Sequence, residues 1–285
     1  MNISFHALVD GIEARGRIAT SAQGTAFDIE AEDIDLASLV GGASDAERGG
    51  QNGHGRTGLL AHLRDLSGSG MLRARRLRAG RFSFEDMILP LSAQGGRLTF
   101  RELRGRFCGG ELEGAGEIAL DRGVGLDCEL SAKNCDFGQF MREIGVQGTF
   151  SGQACARVYL RGRVESPARA LAWLDGYIQL SMEDVVCQAG DSHPWTFQCA
   201  AATADMLRGV ITPSELFVMS DNGTARGEGV VDLPRREMLL EVKVTPTLAI
   251  LPPVRATLKG PLSRPEVTVH GMPGALLRAF NRVFG

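Results

Sequence analysis

Apolar and polar residues alternate along most of this chain. Ile118 and Leu120 alternate with polar partners in "GEIALD", and Leu126, Cys128 and Leu130 do so in "GLDCELS". Phe150, Ala154, Ala156, Val158 and Leu160 follow the rule in "TFSGQACARVYL", and Leu240, Val242 and Val244 in "LLEVKV". A period of two sends successive side chains to opposite faces of a strand, so each segment predicts one apolar and one polar face. Strands buried on both faces read instead as unbroken apolar runs. The expectation is therefore an antiparallel sheet wetted on one side.

Helical patterning is confined to four short stretches. Asp136 is placed to cap "FGQFMREIG", and Ser166 with Pro167 forms a cap and first-turn pair for "ARALAWLDG", ending near Gly176. "TGLLAHLRDL" from Thr57 is a third. The fourth is a C-terminal amphipathic helix over residues 273–285, with Leu276, Leu277, Phe280, Val283 and Phe284 on one face.

Glycines punctuate the strands and reveal a repeat. Residues 96–120 align without a gap on 209–233, so that Thr99, Glu102, Leu103, Gly110, Gly114, Gly116 and Leu120 coincide with Thr212, Glu215, Leu216, Gly223, Gly227, Gly229 and Leu233. A third echo sets "GRIATSAQGTAFDIEAEDIDL" from Gly16 against "GEIALDRGVGLDCELSAKNCDF" from Gly116. Repetition on this scale predicts stacked supersecondary units, each reading strand, turn, strand, glycine-marked turn, strand. The phrases "LRGRVESP" (160–167) and "LKGPLSRP" (258–265) share one skeleton, in which Gly162 or Gly260 turns the chain and Pro opens the next element. They are punctuation of a fold. The chain is expected to form a single repeat-built domain over 1–285, with residues 41–57 a polar, glycine-rich loop within it.

Composition narrows the function. The 285 residues are 44% hydrophobic and 23% charged with a net charge of -3, so no global field attracts nucleic acid. Aromatics at 6% argue against a base-stacking surface. No run of 18 apolar residues occurs, so no helical segment of this sequence is expected to span a bilayer. The six cysteines, at 108, 128, 135, 155, 187 and 199, form no CxxC pair and read as small buried hydrophobes.

Motifs with chemistry are weak. "GQNGHGRT" from Gly50 approaches a phosphate-binding loop, but Arg56 replaces the lysine and no apolar strand precedes it. His54 and His62 lack a third metal ligand nearby. Asp33 with Asp35, and Glu111 with Glu113, sit at alternate positions of polar strand faces rather than as an acid–base pair. The run Arg73, Arg75, Arg76, Arg78 and Arg81 reads either as a charge-protected outward face or as a contact for acidic headgroups. No catalytic residue, metal or cofactor is expected, and no enzyme activity.

The phrases "GGRLTFRELRGRFCGGELEGAGEIAL", "LRGRVESPARALAWLDGYIQLSM" and "GEGVVDLPRREMLLEVKVTP" with "ATLKGPLSRPEVTV" resemble the C-terminal region of AsmA-like proteins, over about residues 71–270. The resemblance implies a mainly β fold: an elongated, curled antiparallel sheet, or β-groove, built from repeated strand units with a few short helices. It further implies a periplasmic protein of the bacterial envelope, anchored in the inner membrane through a segment outside this sequence. Its ligand would be phospholipid on its way toward the outer membrane, and inner- or outer-membrane proteins would be its partners. The acyl chains are expected along Leu98, Phe100, Leu112, Ile118, Leu126, Phe150, Val158, Leu160, Ile178 and Leu180. Each buried methylene would contribute ~0.8 kcal/mol. The alternative reading is a structural scaffold that assists outer-membrane protein assembly by pairing its sheet edge with client strands.

Overall fold

The computed structural model of the chain describes residues 2–9, 12–21, 24–35, 67–120, 124–146, 148–164, 172–188, 194–248, 252–262 and 265–270. Nearly all of them are strand: β1 Asn2–Val9, β2 Ile12–Ser21, β3 Gly24–Asp35, β4 Gly68–Ala79, β5 Phe82–Gln94, β6 Arg97–Phe107, β7 Gly110–Ala119 and β8 Val124–Asp136. After the helix α1 (Phe137–Ile144) come β9 Thr149–Val164, β10 Leu174–Gln188, β11 Trp195–Leu207, β12 Val210–Ser220, β13 Gly223–Asp232, β14 Glu237–Pro246, β15 Val254–Pro261 and β16 Glu266–His270. The fold is mainly β, as the alternation predicts. The sixteen strands form one sheet in chain order, open at β1 and β16.

Tight turns explain that order. Gly95 and Gly96 (φ 58° and 76°) join β5 to β6, Cys108 and Gly109 (47° and 74°) join β6 to β7, and Arg208 and Gly209 (51° and 73°) join β11 to β12. Positive φ at both central residues matches the twist of the flanking strands, so each strand folds back on its predecessor. One pairing departs from the antiparallel expectation. β3 and β4 run parallel, from Thr25 opposite Gly68 to Asp35 opposite Arg78. A parallel pair needs a connection of about a dozen residues or more, and residues 36–67 are long enough to make one.

By its internal contacts the chain divides into two compact units: Met1–Ala132 with Tyr159–Leu174, and Lys133–Val158 with Asp175–Gly285. Each carries one full copy of the sequence repeat. β6 and β7 in the first unit begin and end at residues that align with those of β12 and β13 in the second. Both copies lose register within the same stretch of the repeat, between Phe100 and Leu103 in β6 and between Ile211 and Phe217 in β12. Both close with the same backbone bond, Leu120 N–H to Gly96 O at 2.7 Å and Leu233 N–H to Gly209 O at 3.1 Å. The shorter N-terminal echo shares one feature with them. A Cβ at Gly16, Gly116 or Gly229 would stand 2.4, 2.5 or 2.1 Å from a carbonyl oxygen of the following strand.

Asparagine and aspartate bend the strands. Asp86, Asn134 and Asp184 adopt φ of 49°, 55° and 51° inside β5, β8 and β10. That left-handed region is strained for most side chains and tolerated by Asn and Asp. The ladder passes from Ala74–Met87 to Arg76–Glu85 without pairing Arg75 and Asp86, and from Glu183–Cys199 to Val185–Phe197 without pairing Asp184. The apolar rhythm slips with the backbone: Ala132 and Cys135, three apart, are both buried, as are Ala31 and Ile34. An out-of-phase residue thus keeps apolar side chains on one face through a bend.

The helix predicted after Asp136 forms as α1. The Asp136 carboxylate accepts from Gln139 N–H at 2.9 Å, and Gly145 (φ 82°) ends the helix by donating to Arg142 O. The helix expected to reach Gly176 does not extend that far. Residues 165–171 lie outside the described residues; Ala172 and Trp173 form a 3₁₀ turn, and Leu174 already belongs to β10. The 41–57 loop, the helix from Thr57 and the 273–285 helix lie outside the described residues.

Candidate functional site

In the first unit the apolar face is built from in-register rows. Ile34, Leu77, Phe84 and Phe107 stand opposite one another across β3–β6, with the two phenylalanine rings stacked at 5.1 Å. Ala93, Leu98 and Leu120 form a buried cluster against which Ile118 and Val124 pack. Six of the expected lining residues lie in this unit. Leu98, Phe100 and Leu112 are core residues, 6%, 5% and 4% exposed, and Ile118 joins the same packing. Leu98, Phe100 and Leu112 are thus shielded from solvent, whereas Ile118 is half-buried. Leu126 and Leu160 are half-buried.

In the second unit Ile178 and Leu180 are half-buried opposite Ala204 and Ala202, of which Ala204 is buried. Val158 is half-buried too. Phe150 is half-buried as well, and its ring meets Phe137 of α1 edge-on, centroids 6.0 Å apart. Two further apolar rows were not among the expected lining residues. Gly229, Leu240, Leu258 and Val267 form one row across β13–β16, and Gly227, Val242, Ala256 and Val269 form the next. Leu240, Leu258, Val242 and Val269 are half-buried and Val267 is 62% exposed. Their signal was present in the alternation of "LLEVKV". Burial could not be read from it.

The polar faces carry the charge. Asp33, Arg76, Glu85, Arg106 and Glu111 stand directly opposite one another across β3–β7, alternating in sign. In the basic run, Arg73 bonds to Asp28, Arg75 to Glu32 at 3.3 Å and Arg78 to Asp33 at 3.1 Å. The parallel pairing of β3 with β4 brings an acidic strand beside a basic one, so these arginines have partners within the fold. Exposed pairs of this kind contribute little stability each. A recess of about 440 Å³ on the first unit is lined by the same ion-paired groups, including His6, Glu13, Arg15 and Glu30. Ala31 is the one apolar residue in its lining.

Among the described residues no group of three His, Cys, Asp or Glu side chains could hold a metal, and no helix is long and apolar enough to cross a membrane. Cys108, Cys128 and Cys135 are buried, and Cys155, Cys187 and Cys199 are half-buried. Burial pushes the Cys128 thiol up to about 11, helped by the Asp127 carboxylate. Burial likewise pushes Cys135 up to about 11, with Cys155 adding to the effect. These thiols stay protonated at neutral pH and behave as small hydrophobes. Searches against family models, curated proteins and solved structures found no match for this chain.

Proposed function

We propose that this chain is a non-enzymatic lipid-binding and lipid-transfer segment of a bacterial envelope protein, cradling phospholipid acyl chains between the inner and outer membranes. The observation that carries the reading is the pair of apolar rows on β13–β16, which stay part-exposed although every member is apolar or glycine. No polar or charged side chain is buried among the described residues, so the apolar face offers acyl chains no competing polar site. Contact with methylenes at ~0.8 kcal/mol each supplies affinity without a polar anchor, and selects weakly among chain types. The resemblance of the glycine-marked phrases to AsmA-like proteins supports the same ligand class and a periplasmic setting. Native mass spectrometry before and after detergent exchange, with thin-layer analysis of a detergent-free preparation, tests it. Stoichiometric phospholipid is the expected result. A folded preparation that never carries lipid would sink the reading.

A further inference from the structure

On the polar face of the second unit, β13–β16 set Arg226, Lys243, Arg255 and His270 directly opposite one another. The register is unbroken across these three pairings, so the four side chains leave the sheet on one side as a single row. Neighbouring strands lie about 4.8 Å apart, which gives the row a span of roughly 14 Å. All four residues are exposed. Arg226, Lys243 and Arg255 are like charges placed directly opposite, which oppose strand pairing, whereas the ladder from Asp33 to Glu111 alternates at every step. Nothing relieves the row locally. Among the described residues no carboxylate lies within ion-pair distance of Lys243 or Arg255. The ends of the row are held by other contacts: the Arg226 guanidinium lies 5.6 Å from the Phe217 ring centroid, and His270 Nε2 shares a 3.0 Å hydrogen bond with Thr257 Oγ1.

We propose that this row is a docking surface for an acidic segment of a partner polypeptide. The next row on the same face pairs Glu228 with Glu241, and the one beyond pairs Val230 with Leu239, 39% and 47% exposed. A flat anionic bilayer would lay its phosphates over the carboxylate pair as well as the cations. A chain segment lies along the basic row alone. A basic row, an acidic pair and an exposed aliphatic pair side by side suit the mixed chemistry of a protein interface, where nucleic acid requires a uniformly basic one. In an extended segment, carboxylates at every second residue repeat at about 6.8 Å, so three of them match the span of the row. The proposal is independent of the lipid reading and concerns the opposite face of the same strands.

One substitution separates a docking row from an accident of sequence. Lys243→Glu restores alternation between Arg226 and Arg255, so it should raise the melting temperature by roughly 1–3 °C. It should also weaken binding of a fluorescein-labelled decapeptide of alternating glutamate and serine by about tenfold or more, read by anisotropy at low salt. Wild-type binding should weaken as salt rises, and Arg106→Gln in the first unit should leave it unchanged. The proposal is overturned if the wild-type chain does not bind the peptide, if Lys243→Glu binds it equally well, or if Arg106→Gln weakens it as much. Binding to phosphatidylglycerol vesicles without peptide binding also overturns it and assigns the row to a membrane. A lower melting temperature for Lys243→Glu would show that Lys243 holds the fold and overturn it as well.

Discussion

A Cβ placed on Gly116 would stand 2.5 Å from the Cβ of Cys128 and 2.5 Å from the carbonyl oxygen of Asp127. β7 and β8 meet there backbone to backbone, and Gly229 meets Leu239 and Leu240 in the same way. Gly116→Ala should cost about 1–3 kcal/mol through forced separation of strands, and Gly229→Ala, at φ 146°, adds backbone strain to the same contact. Gly80 faces open space at φ 64°, so Gly80→Ala should cost only the left-handed strain of about 1–2 kcal/mol. Urea denaturation of the three variants checks the order. If Gly116→Ala proves milder than Gly80→Ala, close approach is not why glycine stands there.

The bends make a second prediction. Asn134 holds φ 55° in β8, a conformation that glycine accepts and a β-branched residue resists. Asn134→Gly should leave the unfolding midpoint nearly unchanged, while Asn134→Val should destabilise by about 1–3 kcal/mol. Equal effects would mean that the side chain, and not the backbone, matters at this position.

The buried thiols bear on stability at high pH. Cys128 and Cys135 ionise near 11 in the folded chain against an ordinary value of 9.0. The folded state thus disfavours the thiolate, and the unfolded chain loses its thiol protons first. Their contribution is complete below pH 9 and is lost as pH rises toward 11, by up to about 2 kcal/mol for each thiol. Denaturation midpoints measured from pH 8 to 11 should fall, and Cys128→Ala should reduce the slope. Iodoacetamide should label Cys128 only slowly at pH 8 in the folded protein.

Two aspartate substitutions distinguish a covered apolar position from an open one. Phe150→Asp puts a carboxylate against Phe137 beneath α1 and should cost about 3–5 kcal/mol, enough to threaten folding. Leu240→Asp places the charge in a row that water already reaches, so expression and circular dichroism should survive while co-purified phospholipid falls. Loss of folding in both variants would mean that the β13–β16 face is closed.

Local chemistry alone determined much of this protein. Alternation marked the strands, glycine-bearing turns set their order, Asp136 with Gly145 bounded α1, and the 96–120 repeat matched its partner strand for strand. All of these depend on backbone conformation over a few residues. Other features lay beyond the sequence because they depend on what stands opposite each strand. Leu98 and Leu240 occupy the same alternating pattern, yet Leu98 is buried in a cluster with Ala93 and Leu120 and Leu240 stays part-exposed. The length of residues 36–67 permitted either direction for β4, and only the tertiary fold laid its arginines beside the acids of β3. The same holds for Arg226, Lys243, Arg255 and His270. They are scattered over forty-five positions (226–270) in the chain, and lateral register across four strands makes them neighbours.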